Sequence, residues 1–266
     1  MKKNPLEIAG EEILKTAETF GGITHLLLDT FRSLFRPPLE FKNIIKQMTE
    51  IGLQSFPIIA MASLFTGMVF AFQIGFVSTN WLGAPTFIGM GTAIAIMKEL
   101  SPVVSALVIS GKVGAQIAAE LGTMKVTEQI DALHTLGTNP VKYLSVPRFI
   151  SCLIGVPVLT LMADVIGIIG GGIVSAQKFR VPFNVYWEEI ISYVRFDAVA
   201  HGLVKSIFFG LIIVVVSCHE GLTCEGGAEG VGKSTTKAVV FSMILVLIAD
   251  YLITVFLAAI GLGGEQ

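Results

Sequence analysis

Four ionisable residues stand inside long uncharged stretches of the sequence. Lys98 and Glu99 are adjacent and have at least twelve uncharged residues on each side. Asp164 has fifteen uncharged residues before it and thirteen after it, and Asp250 has twelve and fourteen. Ionisable groups at membrane depth are costly and usually mark function. The three carboxylates, at similar depths on three helices, therefore predict one shared polar cluster inside a helical bundle.

The sequence leaves two interpretations of this cluster open. It is either an interhelical ion network that holds the bundle together, or Lys98 and Glu99 border a cavity that receives a substrate. Neighbouring residues point about 100° apart on a helix, so Lys98 need not pair with Glu99, and Asp164 and Asp250 are its alternative partners. Pro102, shortly after the pair, frees a backbone carbonyl and permits a kink there.

The composition places these residues in a membrane protein. Of the 266 residues, 53% are apolar and 14% are charged, with a mean hydropathy of +0.77, whereas soluble domains carry about 25% charged residues. A net charge of −2 provides no basic face for nucleic acid. Three cysteines are too few for a disulfide scaffold. The expected fold class is an all-α, polytopic membrane protein.

The uncharged stretches predict five transmembrane helices. Residues 51–97 contain no charged residue or histidine, and these 47 residues suffice for two crossings of about 20 residues each. Turn-forming residues at 78–85 separate the two. The predicted spans lie at about 53–77, 86–111, 149–177, 199–217 and 238–261. Gly67 and Gly75 in the first span and the glycines at 170–172 in the third predict close helix approach.

The first 50 residues are predicted to form a separate N-terminal region, which leaves 51–266 as the transmembrane domain. Apolar residues recur at helical spacing over 6–35 and predict an amphipathic helix in the membrane interface, ended by Pro37 and Pro38. A second, short amphipathic segment leads into the first span.

The distribution of lysine and arginine predicts the orientation. With the N-terminus in the cytoplasm, 14 of the 18 basic residues lie inside. Four then lie outside, namely Lys178, Arg180, Arg195 and Lys205. Five spans place the C-terminus on the outer side.

The segment between the second and third spans predicts a short cytoplasmic helix at about 125–137. Val126, Ile130 and Leu133 recur at helical spacing, opposite Glu128 and Asp131. Gly137 is placed to cap this helix and Asn139-Pro140 to end it. Such a helix either docks into a groove on a soluble partner or lies passively on the inner leaflet.

Two motifs suggest other chemistry. Residues 227–234 satisfy the G-x-x-x-x-G-K-S pattern of a phosphate-binding loop, but that loop requires a strand before it and a helix after it, and the surrounding sequence predicts a membrane span. Cys218, His219 and Cys224 lack a fourth ligand and the usual zinc spacing. We therefore predict no nucleotide, metal or cofactor site and no catalytic residue.

A set of short motifs, in a fixed order, resembles the MlaE/YrbE permease family. They are ELSPVV at 99–104, GKVG at 111–114, AELGTM at 119–124, TEQIDAL at 127–133, NP at 139–140, VPR at 146–148, GVG at 230–232, TT at 235–236, AVV at 238–240 and DY at 250–251. The resemblance covers the chain beyond about residue 40. Lys98 and Lys112 stand where the family usually has arginine, keeping the charge without the forked donor geometry.

The resemblance implies the permease subunit of an ABC-type lipid transporter in the bacterial inner membrane, with the outer side being the periplasm. Such a subunit is not itself an enzyme, because a cytoplasmic ABC ATPase hydrolyses the ATP. The implied partners are a second copy of the chain, the ATPase, a periplasmic MCE-domain protein, a small STAS-domain accessory protein and glycerophospholipid.

Candidate residues fall into three sets. Those expected to bind the substrate are Lys98, Glu99, Phe65, Met68, Val69, Phe72, Gln73 and Met97, on the first two spans, since a lipid path needs apolar walls with few polar groups. Those expected to couple to the ATPase are Glu120, Lys125, Glu128, Asp131 and Leu133. Asp164 and Asp250 are the remaining intramembrane polar residues.

Two other functions stay open from the residues alone. One is an ion-coupled secondary transporter that uses the midplane carboxylates as a proton relay, although such folds usually show repeated halves and the sequence shows no internal repeat. The other is a membrane-anchored nucleotide hydrolase built on residues 227–234.

Overall fold

The structure, a computed structural model, describes residues 5–35, 40–80 and 87–261 and is helical without strands in these ranges. The predicted all-α class is therefore confirmed. Pro37, Pro38 and most of the predicted turn at 78–85 lie outside the described residues.

Five helical stretches are long and apolar enough to cross a membrane, as predicted. They are Phe41–Asn80, Ile88–Val126, Val141–Lys178, Phe196–Leu222 and Gly227–Ala259. Several extend well beyond the predicted spans, because the helices continue into the polar sequence that precedes or follows each apolar stretch.

The elements run in simple order along the chain. The helices are α1 (Pro5–Leu34), α2 (Phe41–Met48), α3 (Phe56–Asn80), α4 (Ile88–Ala95), α5 (Ser101–Ile109), α6 (Ala115–Val126), α7 (Gln129–Thr135), α8 (Val146–Lys178), α9 (Phe183–Tyr193), α10 (Phe196–Leu222) and α11 (Gly227–Ala259). Single π-helical turns at Thr49–Leu53, Ile96–Leu100, Ser110–Gly114 and Val141–Ser145 interrupt the first three spans. The second span thus consists of α4, α5 and α6 joined by two π-helical turns.

Glycine allows α3 and α8 to pack backbone to backbone. A Cβ atom at Gly67 would lie 1.9 Å from the carbonyl oxygen of Gly167, and one at Gly170 would lie 2.5 Å from the carbonyl oxygen of Leu64. Small residues permit such close approach between membrane helices. The prediction of close packing at these glycines is confirmed.

Helix α9 covers the end of the bundle opposite α7. Tyr186 is fully buried and donates a hydrogen bond to the carbonyl of Ile168 over 3.1 Å. Glu189 accepts a hydrogen bond from the backbone N–H of Gly89 over 3.1 Å, at the start of α4. Burial raises the pKa of the Glu189 carboxyl, while the N–H groups at the start of α4 act to lower it. These contacts fix the second and third spans at this end.

Candidate functional site

A buried lysine links the second, fourth and fifth spans. The side chain of Lys205 on α10 is 0% exposed, and its ammonium group contacts the carboxylate of Glu99 and lies 2.8 Å from Oδ1 of Asp250. The hydroxyl of Thr254, one turn after Asp250, donates to Glu99 over 3.4 Å. We call Glu99, Lys205, Asp250 and Thr254 the ion cluster. Its one cation and two carboxylates satisfy the rule that buried charges are paired.

The local backbone brings Glu99 to Lys205. Glu99 lies in the π-helical turn Ile96–Leu100, and such turns are frequent at functional sites. Gly202, one turn before Lys205, accommodates this turn, because a Cβ atom there would lie 2.2 Å from the carbonyl oxygen of Met97. Spans two and four can therefore approach closely enough for their charged side chains to meet.

Pro102 and His201 complete the arrangement. Proline has no N–H group to donate to the carbonyl four residues earlier, which here belongs to Lys98. The buried ring of His201 lies beside the backbone of Lys98. A polar side chain from the neighbouring span thus covers the backbone at the carbonyl freed by Pro102. His201 packs beside the π-helical turn that carries Glu99.

The predicted cluster of three carboxylates is partly wrong. Glu99 and Asp250 do meet, but Asp164 is 4% exposed and faces Ser101 on the second span. The prediction that Lys205 lies outside the membrane is also wrong, because Lys205 is buried within the fourth span. Lys205, and not Lys98 as considered above, is the cation beside Asp250. Lys98 itself is half-buried, in the same π-helical turn as Glu99.

The ion cluster is open on one side. The side chain of Glu99 is 42% exposed and that of Asp250 is 21% exposed, whereas Lys205 is fully enclosed. A carboxylate facing hydrocarbon would be strongly disfavoured. The exposed side of Glu99 therefore calls for water, a polar ligand or another protein surface.

The predicted apolar lining residues lie mainly along one face of α3. Phe65, Val69, Phe72 and Gln73 are exposed on the described chain, while Met68 and Met97 are half-buried. Only 28% of the apolar stretch in the first span is buried, and only 11% of that in the fifth. Two spans thus present apolar faces that this copy of the chain leaves uncovered.

The predicted cytoplasmic helix is shorter than expected. The second span continues as α6 to Val126, and the chain turns at Glu128, whose φ of 61° is left-handed. Helix α7 then covers only Gln129–Thr135. Gly137 has a φ of 74°, and the N–H of Thr138 donates to the carbonyl of Leu133, so the predicted glycine cap is confirmed.

The turn into α7 is held by charge and by one apolar anchor. Lys125 lies 3.1 Å from Asp131 across the turn, and Ile130 is buried against the core. Glu128, Asp131 and Leu136 face outward, Leu136 being 77% exposed. Leu136 directly follows the last residue of α7.

Two further predicted coupling residues, Glu120 and Leu133, make contacts within the chain. Glu120 accepts hydrogen bonds from Arg148 over 2.8 Å and from Gln116 over 2.9 Å. Arg148 is 7% exposed and also donates to the carbonyl of Leu144 over 2.8 Å. Leu133 is half-buried and packs against the core. Glu120 and Arg148 therefore fasten α6 to the start of the third span.

Most of the chain matches the model of a known protein family. Residues 44–256 match the family model Permease MlaE. The chain belongs to the MlaE permease family. It is an ABC transporter permease that spans the membrane several times.

Relatives in the MlaE family match almost the whole chain. A probable ABC transporter permease protein of Rickettsia bellii is 42% identical over 245 residues, which is 92% of this chain and 94% of the relative. One from Synechocystis is 38% identical over 84% of this chain and 85% of its own length. Protein TRIGALACTOSYLDIACYLGLYCEROL 1 of Arabidopsis thaliana, a chloroplast protein, is 37% identical over 84% of this chain and 63% of its own length.

The two motifs that suggested other chemistry have ordinary structural roles in this MlaE permease. Residues 227–234 form the first turns of α11, and Lys233 lies 2.7 Å from Glu229 one turn earlier. This is a helix surface rather than a loop of amides around a phosphate. Cys218 and Cys224 are buried, and no group of metal ligands occurs among the described residues.

Proposed function

We propose that this MlaE permease moves glycerophospholipids between the bacterial inner membrane and a periplasmic MCE-domain carrier, driven by a separate cytoplasmic ABC ATPase. The observation that carries the proposal is the match to the MlaE family over residues 44–256. The Arabidopsis relative bears the name of a glycerolipid, which favours a lipid substrate. A small STAS-domain protein is a further proposed component.

The proposed orientation has the N-terminus in the cytoplasm and the C-terminus in the periplasm. With Lys205 inside the bundle, the basic residues assigned to the outer side fall to Lys178, Arg180 and Arg195. All three lie beside α9. The excess of basic residues on the side of α7 supports this orientation.

The proposed functional unit is a homodimer with the lipid path between the two copies. The uncovered faces of the first and fifth spans would meet the second copy or line the path. Phe65, Val69 and Phe72 would contact acyl chains. Glu99, at the open side of the ion cluster, would face the headgroup. Lys205 and Asp250 would hold Glu99 in place.

The proposed contact with the ATPase is the exposed surface around α7, formed by Glu128, Asp131 and Leu136. The exposed carboxylates and the exposed leucine of this surface would offer a partner both electrostatic and apolar contacts. Glu120 and Arg148 connect α6 to the third span, so a force on α7 would reach two spans. Such a connection is what a power stroke from a partner requires.

The double substitution Glu128→Arg and Asp131→Arg is expected to release the co-purifying ATPase while the homodimer remains. The two substitutions reverse exposed charges in the proposed docking surface. Like charges facing each other across an interface disfavour association by about 3 kcal/mol. Co-purification from native membranes, with the ATPase quantified by mass spectrometry, measures the outcome.

Two control variants distinguish a loss of ATPase docking from a disruption of the turn before α7. Asp131→Asn removes the ion pair with Lys125 without reversing charge and should retain most of the ATPase. Glu188→Arg reverses an exposed charge on α9 at the opposite end and should retain all of it. Full ATPase recovery with the double variant would remove the coupling role, and proton-driven uptake without any ATPase would indicate a secondary transporter.

Glu99→Leu is expected to reduce the amount of phospholipid crosslinked at the proposed path. A photoreactive residue replacing Phe72 would report lipid beside α3, and loss of the headgroup contact should lower the adduct about tenfold, as for removal of one charge-assisted hydrogen bond. Glu188→Leu, far from the path, is the control. Equal adduct yield with Glu99→Leu would leave Glu99 a structural residue.

A further inference from the structure

A groove separate from the ion cluster lies near the N-terminal end of α11. It has a volume of about 900 Å³ and is bordered by α1, α10 and α11. One face of α11 forms its floor through residues at four-residue spacing, Ala228, Gly232, Thr236 and Val240. A more polar depression of about 510 Å³ adjoins it and shares Glu220, Lys233 and Lys237.

The groove changes from charged to apolar along its length. At the charged end, Lys233 is 2.7 Å from Glu229, and Lys237 interacts electrostatically with Glu220. The Lys233–Glu229 pair is 71% and 80% exposed, so it is weak and its groups are available to a ligand. At the other end, Val240 lies exposed beside Phe241, whose ring is 5.5 Å from that of Phe20.

The charged end coincides with the edge of the apolar part of the bundle. Lys237 is the last charged residue before the twelve uncharged residues 238–249 of α11. On α10, Glu220 follows the uncharged residues 206–218 and His219. Charged side chains at such boundaries lie at the level of lipid headgroups. The apolar end of the groove then lies at the level of the acyl chains.

We infer that this groove binds a glycerophospholipid with a phosphoethanolamine headgroup. The phosphate would contact Lys233 and Lys237, the ammonium group would donate to Glu220 and Glu229, and one acyl chain would lie along Val240. Two lysines and two carboxylates match a zwitterion, whereas an anionic headgroup would leave the carboxylates without a cation. A choline headgroup has no N–H to donate to them.

This binding site is separate from the ion cluster. It lies near the start of α11, whereas Asp250 and Thr254 belong to the later half of that helix. Binding in the groove can therefore be tested without transport, and failure of one proposal leaves the other standing.

The test is photocrosslinking in vesicles that contain equal parts of phosphatidylethanolamine, phosphatidylglycerol and phosphatidylcholine. A photoreactive residue replaces Val240, and mass spectrometry identifies the adducts. We expect the ethanolamine lipid to predominate. Lys233→Gln combined with Lys237→Gln should lower its adduct about tenfold, the effect of losing charge-assisted hydrogen bonds, and leave the other two lipids unchanged.

A second variant fills the groove without removing charge. A Cβ atom at Gly232 meets nothing within 4 Å, so Gly232→Leu should fold normally and still lower the ethanolamine-lipid adduct. Lys178→Gln at the opposite end and Gly52→Leu, where a Cβ atom also meets nothing, are the controls. Equal crosslinking of all three lipids, or crosslinking to a second copy of the chain, would overturn the inference.

Discussion

Replacing Lys205 by methionine is expected to lower the free energy of unfolding by about 3 kcal/mol, the cost of breaking a buried ion pair by removing one partner. Methionine keeps most of the volume of the lysine side chain, so the loss of stability would come from the missing charge rather than from a cavity. Glu99 and Asp250 would remain close together without the cation that now lies between them. Unfolding of the purified protein by a denaturing detergent, followed by circular dichroism, measures the change.

Neutralising the carboxylates should reverse this loss. A triple variant, Lys205→Met with Glu99→Gln and Asp250→Asn, leaves no unpaired charge in the ion cluster and should recover most of the stability. The partial exposure of Glu99 places the expected loss at the lower end of the range for buried pairs. A single variant as stable as the unaltered protein would show that the carboxylates are hydrated and that Lys205 does not stabilise the bundle.

Replacing Gly67 by leucine is expected to cost about 3 kcal/mol, at the upper end of the range for overpacking a core. The first side-chain atom would already lie 1.9 Å from the carbonyl oxygen of Gly167. Backbone cannot give way as a flexible side chain can, so α3 and α8 would have to separate. The same detergent titration applies.

Gly52→Leu is the matched control for this effect. It makes the same chemical change in the same span at a position where a Cβ atom meets nothing within 4 Å. Gly52 lies in a π-helical turn and Gly67 in α3, but neither has the left-handed backbone that requires glycine, so the main difference is the contact at Gly67. If both variants proved equally stable, α3 and α8 would not be packed backbone to backbone.

The fold class and the five spans were predictable because they depend on composition and length. The 47 uncharged residues at 51–97 and the isolated charges at 164 and 250 are local signals. Hydrocarbon accepts such segments only as helices with satisfied backbone groups. The close approach of α3 and α8 was predictable for a similar reason, since Gly67 and the glycines of the third span mark where side chains are absent.

The partner of the buried carboxylates was not predictable from spacing. Lys205 lies inside the predicted fourth span at 199–217, which signalled burial, but the count of basic residues by loop assigned it to the outer side. Which cation meets Glu99 depends on how α10 is rotated against the second span, and that depends on Gly202 and on the π-helical turn. A single π-helical turn differs from an α-helical turn by only one residue, which is too short a change for the apolar spacing of one sequence to reveal.

The helix between the second and third spans was predicted in place but not in extent. Apolar spacing across 125–137 continues through Val126 and Ile130, and it therefore did not reveal the left-handed turn at Glu128. A glutamate in that conformation is uncommon, so residue preference argued against a break there. Gly137, in contrast, has the residue type that such a backbone favours, and its position was predicted correctly.

The π-helical turn at Ile96–Leu100 gives the second span a built-in means of rotation. A π-helical turn contains one residue more than an α-helical turn, and restoring α-helical geometry would rotate the residues on one side of it by about 100° relative to those on the other. Glu99 could then swing away from Lys205 while both ends of the span stay anchored, at Glu189 and at Arg148. Such a change would turn the carboxylate of Glu99 about the axis of the second span, without moving the span along the membrane normal.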